Sequence, residues 1–176
     1  MRITVCCLSV ALLTVLLTTG CQRESSPKID TTQSGITHDL VGAWRATLQF
    51  RSGPFATIHD LEFIYVFNSG GTMTESSNYD AVPPVPPAYG IWRKVGSNQF
   101  EAKYEFYMTK APTELAEITN GGGWLPAGRG VLFERITLSD DGDSFTSTIR
   151  YEAFDQTGKP TEGGGEADGR GVRIEF

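Results

Sequence analysis

Few side chains in this 176-residue chain can start chemistry at neutral pH: two histidines, His38 and His59, and three cysteines, Cys6, Cys7 and Cys21. A Ser-His-Asp or Cys-His site needs a histidine held against its nucleophile. His38 falls in or beside a polar stretch and His59 between two apolar runs, so both read as solvated loop residues. A zinc site takes about four N, S or O ligands, and two His without a usable Cys fall short of the common N/S sets. Asp140-Asp141-Gly142-Asp143 lacks the alternate-carboxylate register and closing Glu of a calcium loop, and reads as a hairpin turn. The glycine triplets at 121–123 and 163–165 are not followed by Lys-Ser/Thr, so they are not phosphate cradles. No metal or cofactor is expected. Glu62, Glu134 and Tyr104 remain as candidates for acid or base work, provided that a strand turns them inward.

Net charge is −6, which argues against nucleic acid as a partner, because phosphate backbones demand a Lys/Arg surface. With 39% apolar residues, 20 Gly and 9 Pro, the chain is neither collagenous, coiled coil nor wholly disordered.

The N-terminus has the layout of a secretory leader: Met1-Arg2, an apolar run over 3–17, then a small-residue exit. That run is marginal for spanning a bilayer. Leu17-Thr18-Thr19-Gly20-Cys21 resembles the lipobox of bacterial lipoproteins. The resemblance implies a signal peptide at 1–20, cleavage before Cys21 and a diacylglycerol thioether on its sulfur, with palmitate-type acyl chains holding the protein to the cell envelope. By the same resemblance, Gln22 after the cysteine points to the periplasmic side of the outer membrane in a Gram-negative cell. Cys6 and Cys7 would leave with the leader and Cys21 would carry lipid, so the mature chain would have no disulfide. It would also be one charge more acidic, because the leader removes one Arg and no acid. Residues 21–37 are rich in Ser, Thr, Pro and charge and read as a lipidated flexible tether.

From 38 to 176 the apolar spacing has period two. Leu40, Gly42, Trp44, Ala46, Leu48 and Phe50 alternate with the residues between them. So do Phe100, Ala102, Tyr104, Phe106 and Met108, and Phe145, Ile149, Tyr151 and Ala153. Such spacing puts one face of a strand in a core and the other in water, and a helix would need spacings of three and four. Five further strands are expected at 61–68 (apolar on both faces), 72–79 (Ser/Thr/Asn-rich), 89–95, 130–139 (with Val131, Phe133, Ile136 and Leu138) and 165–176. Turn signals at 68–71, 96–98, 140–143 and 155–158 join neighbours as hairpins. The expected fold is all-β, an antiparallel up-and-down barrel of about eight strands whose closure removes both sheet edges. The proline-rich stretch 81–87 reads as a stiff extended loop, residues 111–118 as about two helical turns, and 120–126 as a mobile glycine-rich loop carrying Trp124.

Gly42-Ala43-Trp44 on the first strand resembles the G-x-W signature of the lipocalin/calycin superfamily. The resemblance implies that Trp44 plugs the closed end of the barrel and that an arginine near the last strand's end, Arg173 first and Arg170 second, packs across the indole. The phrases at 67–72, 89–92 and 138–145 are also similar to those of bacterial lipocalin-like proteins. Gly42, Trp44 and Arg173 are then structural. Leu48, Phe50, Tyr104, Phe106 and Tyr151 fall on inner faces and are the candidate ligand-binding residues, with Trp124 as a cap.

The function expected is reversible binding of a small hydrophobic molecule or lipid by a membrane-anchored barrel. A barrel enzyme of isomerase, cyclase or lyase type would instead show a carboxyl of shifted pKa deep in a cavity. An envelope interaction or inhibitor module would show a filled barrel with exposed loop aromatics.

Overall fold

Four successive inward positions of the first strand, Trp44, Ala46, Leu48 and Phe50, are buried, while Arg45, Thr47 and Gln49 between them are exposed. The same two-residue rhythm runs round a closed ring of eight antiparallel strands in the computed structural model, which describes residues 39–81, 84–118 and 123–176. The strands are β1 (Gly42–Phe50), β2 (Leu61–Phe67), β3 (Thr72–Ser77), β4 (Ala88–Lys94), β5 (Gln99–Lys110), β6 (Leu125–Leu138), β7 (Ser144–Phe154) and β8 (Gly165–Arg173). Each pairs with its sequence neighbours, and β1 pairs with β8 from Trp44↔Arg173 to Phe50↔Ala167 to close the ring. The barrel is therefore up-and-down. Cys21, the leader at 1–20, the tether at 21–37 and His38 lie outside the described residues.

Several local expectations shift. Residues 111–118 supply one helical turn, α1 (Leu115–Ile118), rather than two. Strand β6 begins at Leu125, so Leu125 and Pro126, read as loop, pair with Lys110 and Thr109 of β5. Strand β2 is not buried on both faces: Ile64 and Val66 point outward and are 47% and 39% exposed. In β6 the inward side chains are Leu132, Glu134, Ile136 and Leu138. Phe133 instead lies outside, with Arg150 4.3 Å and Lys103 5.7 Å from its ring centroid. The cations cover its ring, and the ladders to β5 and β7 set the alternation that turns Glu134 inward.

One end of the barrel is plugged. Trp44 is fully buried, and its indole N–H donates to the Leu40 carbonyl at 2.8 Å. The Arg173 guanidinium lies 4.2 Å over the ring, and Phe145 packs against it at 5.2 Å between centroids. Arg170, three residues earlier and on the opposite face of the strand from the plug, is exposed. Gly42 sits at φ +135°, and a Cβ there would lie 2.8 Å from Nη1 of Arg173. Only glycine combines that backbone with the space the arginine needs. Strand β8 carries Gly171 inward because a Cβ would meet the Phe145 ring at 2.2 Å.

Candidate functional site

The opposite end of the barrel carries the β1–β2, β3–β4, β5–β6 and β7–β8 connections, and a cavity of about 290 Å³ lies beneath them. Most of its wall is apolar. Strands β1, β2, β5, β6 and β7 contribute Phe50, Phe63, Phe106, Leu132 and Tyr151. The β1–β2 connection folds Phe55 and Ile58 over them, with Phe55 5.3 Å from Phe50 and 5.8 Å from Tyr151 between ring centroids. Phe106 stacks on Tyr151 at 6.1 Å, and Gly130 makes room for the pair, since a Cβ there would meet the Phe106 ring at 2.4 Å. The proline-rich segment adds Val85 and Pro86. It is pinned to the rim by the Thr109 hydroxyl, which donates to the Pro84 carbonyl at 2.6 Å, and by the Val85 N–H, which donates to the Asp80 carbonyl at 2.8 Å.

One quadrant is acidic. Glu75 projects inward from β3, is 6% exposed and lines the cavity, and its Oε1 has no hydrogen-bond partner. Asp80 stands at the rim, where the Ser77 N–H donates to its Oδ2 at 2.6 Å. Among the described residues no Lys, Arg or His lines this space. Burial pushes the Glu75 carboxyl well above the usual carboxylate range, and the negative charges of Asp80 and Glu134 push it further. Asp80 is raised by burial and held back by its hydrogen bonds from Ser77. Burial also pushes the Tyr151 phenol up to about 12, so it stays a neutral donor, aimed at the Met108 sulfur at 3.4 Å.

A polar cluster is sealed in the barrel interior. The Tyr104 hydroxyl donates to Glu134 Oε2 at 2.9 Å, and the Tyr65 and Tyr104 hydroxyls are 3.3 Å apart. Glu134 is 1% exposed, and its Oε1 and the neighbouring Ser147 Oγ are close but make no hydrogen bond of good geometry. Burial raises the Glu134 carboxyl, while the hydroxyls of Ser147, Tyr104 and Tyr65 favour its charged form. Both phenols are pushed far up by burial first and by Glu134 second. A polar group without a partner in a low-dielectric interior is costly, so two buried carboxyls with free oxygens are an unusual feature of the core.

Of the six candidate ligand-binding residues, Phe50, Phe106 and Tyr151 line the cavity. Leu48 and Tyr104 do not: both are buried in the packed interior. Trp124 is 37% exposed and does not line the cavity either. Of the acid–base candidates, Glu62 is exposed on the outer face, so only Glu134 and Tyr104 turn inward. His59 is exposed and bonded to Gln49 at 3.0 Å. Asp140–Asp143 forms the tight β6–β7 turn around Gly142 at φ +80°. Among the described residues no group of three or more His, Cys, Asp or Glu is placed to hold a metal ion.

Sequence reading missed Glu75, Phe55 and Ile58. Met73 is the one apolar residue in 72–77, and its parity sets Glu75 and Ser77 inward. Phe55 and Ile58 carry a weaker signal, two apolar residues in an otherwise polar connection. A larger trough of about 690 Å³ crosses the outer face, and each of its five cations is already held by a carboxylate: Arg93 and Arg135 by Glu101, Arg51 by Glu166 and Asp168, Lys103 by Glu105 and Arg150 by Glu152. Such exposed pairs contribute little and aim nothing at a ligand. The interior cavity is the candidate site. Neither a protein-family model nor a curated protein matches the chain.

Proposed function

We propose that this protein is a lipid-anchored, lipocalin-like barrel that reversibly holds a small hydrophobic ligand or lipid fragment inside the barrel. The observation that carries the reading is the apolar hollow bounded by Phe50, Phe55, Phe106 and Tyr151 in a barrel plugged at its other end. Affinity would come from apolar burial, about 25 cal/mol per Å², and orientation from a few polar groups at one side. The volume lies at the lower edge of the roughly 300–1,000 Å³ typical of ligand pockets, so a compact ligand fits better than a long acyl chain. Acylated Cys21 would hold the domain at the cell envelope, on the periplasmic face of the outer membrane in a Gram-negative cell, and the segment 21–37 would space it from the lipid.

Native mass spectrometry of the chain extracted gently from membranes tests this reading. A co-purifying small molecule, or saturable binding of a hydrophobic fluorophore that a compact hydrophobe displaces, is expected. Absence of both would overturn it.

A second reading, a barrel enzyme of isomerase, cyclase or lyase type, draws on one feature: the Glu75 carboxyl is raised well above its usual range on a cavity wall. A carboxylic acid that keeps its proton near neutral pH can serve as a general acid. Turnover of a bound hydrophobe that Glu75→Gln abolishes without weakening binding would favour the enzyme.

A further inference from the structure

We infer that the cavity selects compact amphiphiles bearing a cationic amine, with the ammonium seated on the Glu75 carboxylate and the apolar body against the aromatic wall. This rests on the ligand-binding reading above and adds the chemical class of the ligand.

Three observations converge. Glu75 is almost fully buried, lines the cavity, and presents an oxygen with no partner. An ammonium supplies both the donor and the opposite charge that such a group lacks. The polar groups around that oxygen are uniformly acidic or neutral. Asp80 stands at the rim, Glu134 lies deeper in the interior, and Tyr65 faces Glu75 across the β2–β3 ladder. Tyr104 comes in from β5, Ala88 opposite on β4 adds no charge, and no cation lines the space among the described residues. A carboxylate ligand would meet the negative charges of Asp80 and Glu134 with no cation to offset them, and an alcohol would gain one hydrogen bond without charge attraction. The remaining wall is aromatic, and ring faces attract an ammonium but not an anion.

Proton balance follows. In the empty site burial and the charges of Asp80 and Glu134 favour the protonated form of Glu75 over the carboxylate. An entering ammonium stabilises the carboxylate, so one proton leaves Glu75 for solvent as one cation enters, and the net charge of the cavity is unchanged. Affinity for an amine rises with pH through the Glu75 titration, up to the pH at which the free amine itself loses its charge.

Three probes of the same shape, cyclohexylamine, cyclohexanol and cyclohexanecarboxylate, decide the matter by calorimetric titration into the full chain. Titrations at pH 7 in two buffers of different ionisation heat count released protons. Expected results are at least tenfold tighter binding of the amine than of the alcohol, weakest binding of the carboxylate, and a proton released with the amine alone. In Glu75→Gln the amine preference and the proton release disappear, while cyclohexanol affinity changes less than threefold. The wild-type series decides even if that variant folds poorly. Binding of the alcohol as tight as that of the amine, or an amine preference that survives in Glu75→Gln, overturns the inference and leaves hydrophobic binding intact. Failure of all three probes together with a hydrophobic fluorophore overturns the ligand-binding reading, and this inference with it.

Discussion

The Arg173 guanidinium covers the Trp44 indole at 4.2 Å and at the same time donates to the carbonyls of Asp39, Val41 and Gly142 at 2.8–3.1 Å. One side chain from β8 thereby fastens the segment before β1 and the β6–β7 turn over the plugged end. The guanidinium is suited to this, because its planar fork stacks on the ring while its donors point outward in the plane.

Replacing Arg173 by Ala is expected to cost about 2–4 kcal/mol, the sum of a cation–π contact and hydrogen bonds from a charged donor. Arg173→Lys should recover less than half, since an ammonium cannot stack and reach three carbonyls together. Equilibrium urea unfolding measures both. A loss below about 0.5 kcal/mol for Arg173→Ala would remove the arginine from the plug.

Gly42→Ala should destabilise by about 1–3 kcal/mol, because alanine is strained at φ +135° and its methyl would press on Nη1 of Arg173. The loss should shrink in an Arg173→Ala background, where the methyl has room. A double-mutant cycle reads that coupling.

Glu75 and Glu134 both have carboxyls raised by burial, so the folded state binds more protons than the unfolded one above their ordinary value of 4.5. Their protonated forms suit the fold: the stabilisation is fully present below that value and is lost as pH rises through the folded pKa of each. The unliganded protein should therefore lose stability as pH climbs above 4.5, with Glu75 the larger contributor. Glu75→Gln, which resembles the protonated acid, should flatten that decline and raise the melting temperature at pH 8 relative to wild type. Melting curves between pH 4 and 9 check the sign. A wild-type stability that rises over this range would contradict it.

Ala88→Leu adds volume at the cavity wall, where Ala88 is 1% exposed. Hydrophobic-fluorophore affinity should fall at least tenfold, with a stability change within about 1–3 kcal/mol either way, as the added methylenes fill the hollow or strain it. Unchanged fluorophore binding would place the ligand elsewhere.

Cys21→Ser should move the protein from the membrane fraction to the soluble fraction and remove the acyl mass from the mature N-terminus. Fractionation and intact mass measure this, and retention of the serine variant in membranes would argue for a different anchor.

Period-two spacing and hairpin turns were enough to read the barrel from the chain, because both are local: a pleat alternates faces every residue, and a short turn forces antiparallel neighbours. That locality fails where both parities are apolar. Residues 131–133 read Val-Leu-Phe, and only the ladders to β5 and β7 decide that Leu132 faces in and Phe133 out. Depth along the axis is likewise invisible in one dimension. Leu48 and Phe50 share a face, yet one fills the core and the other walls the hollow.

The amino-acid order by itself determined the strands, their hairpin neighbours and, outside the runs apolar on both parities in β2 and β6, the faces they bury. Closure of the ring decided the rest. It brought Glu75 and Glu134, on strands not adjacent in the sheet, within reach of each other's charge, and it left space at one end instead of packing. Both outcomes depend on distances across the barrel between residues far apart in the chain, and no local pattern encodes those distances.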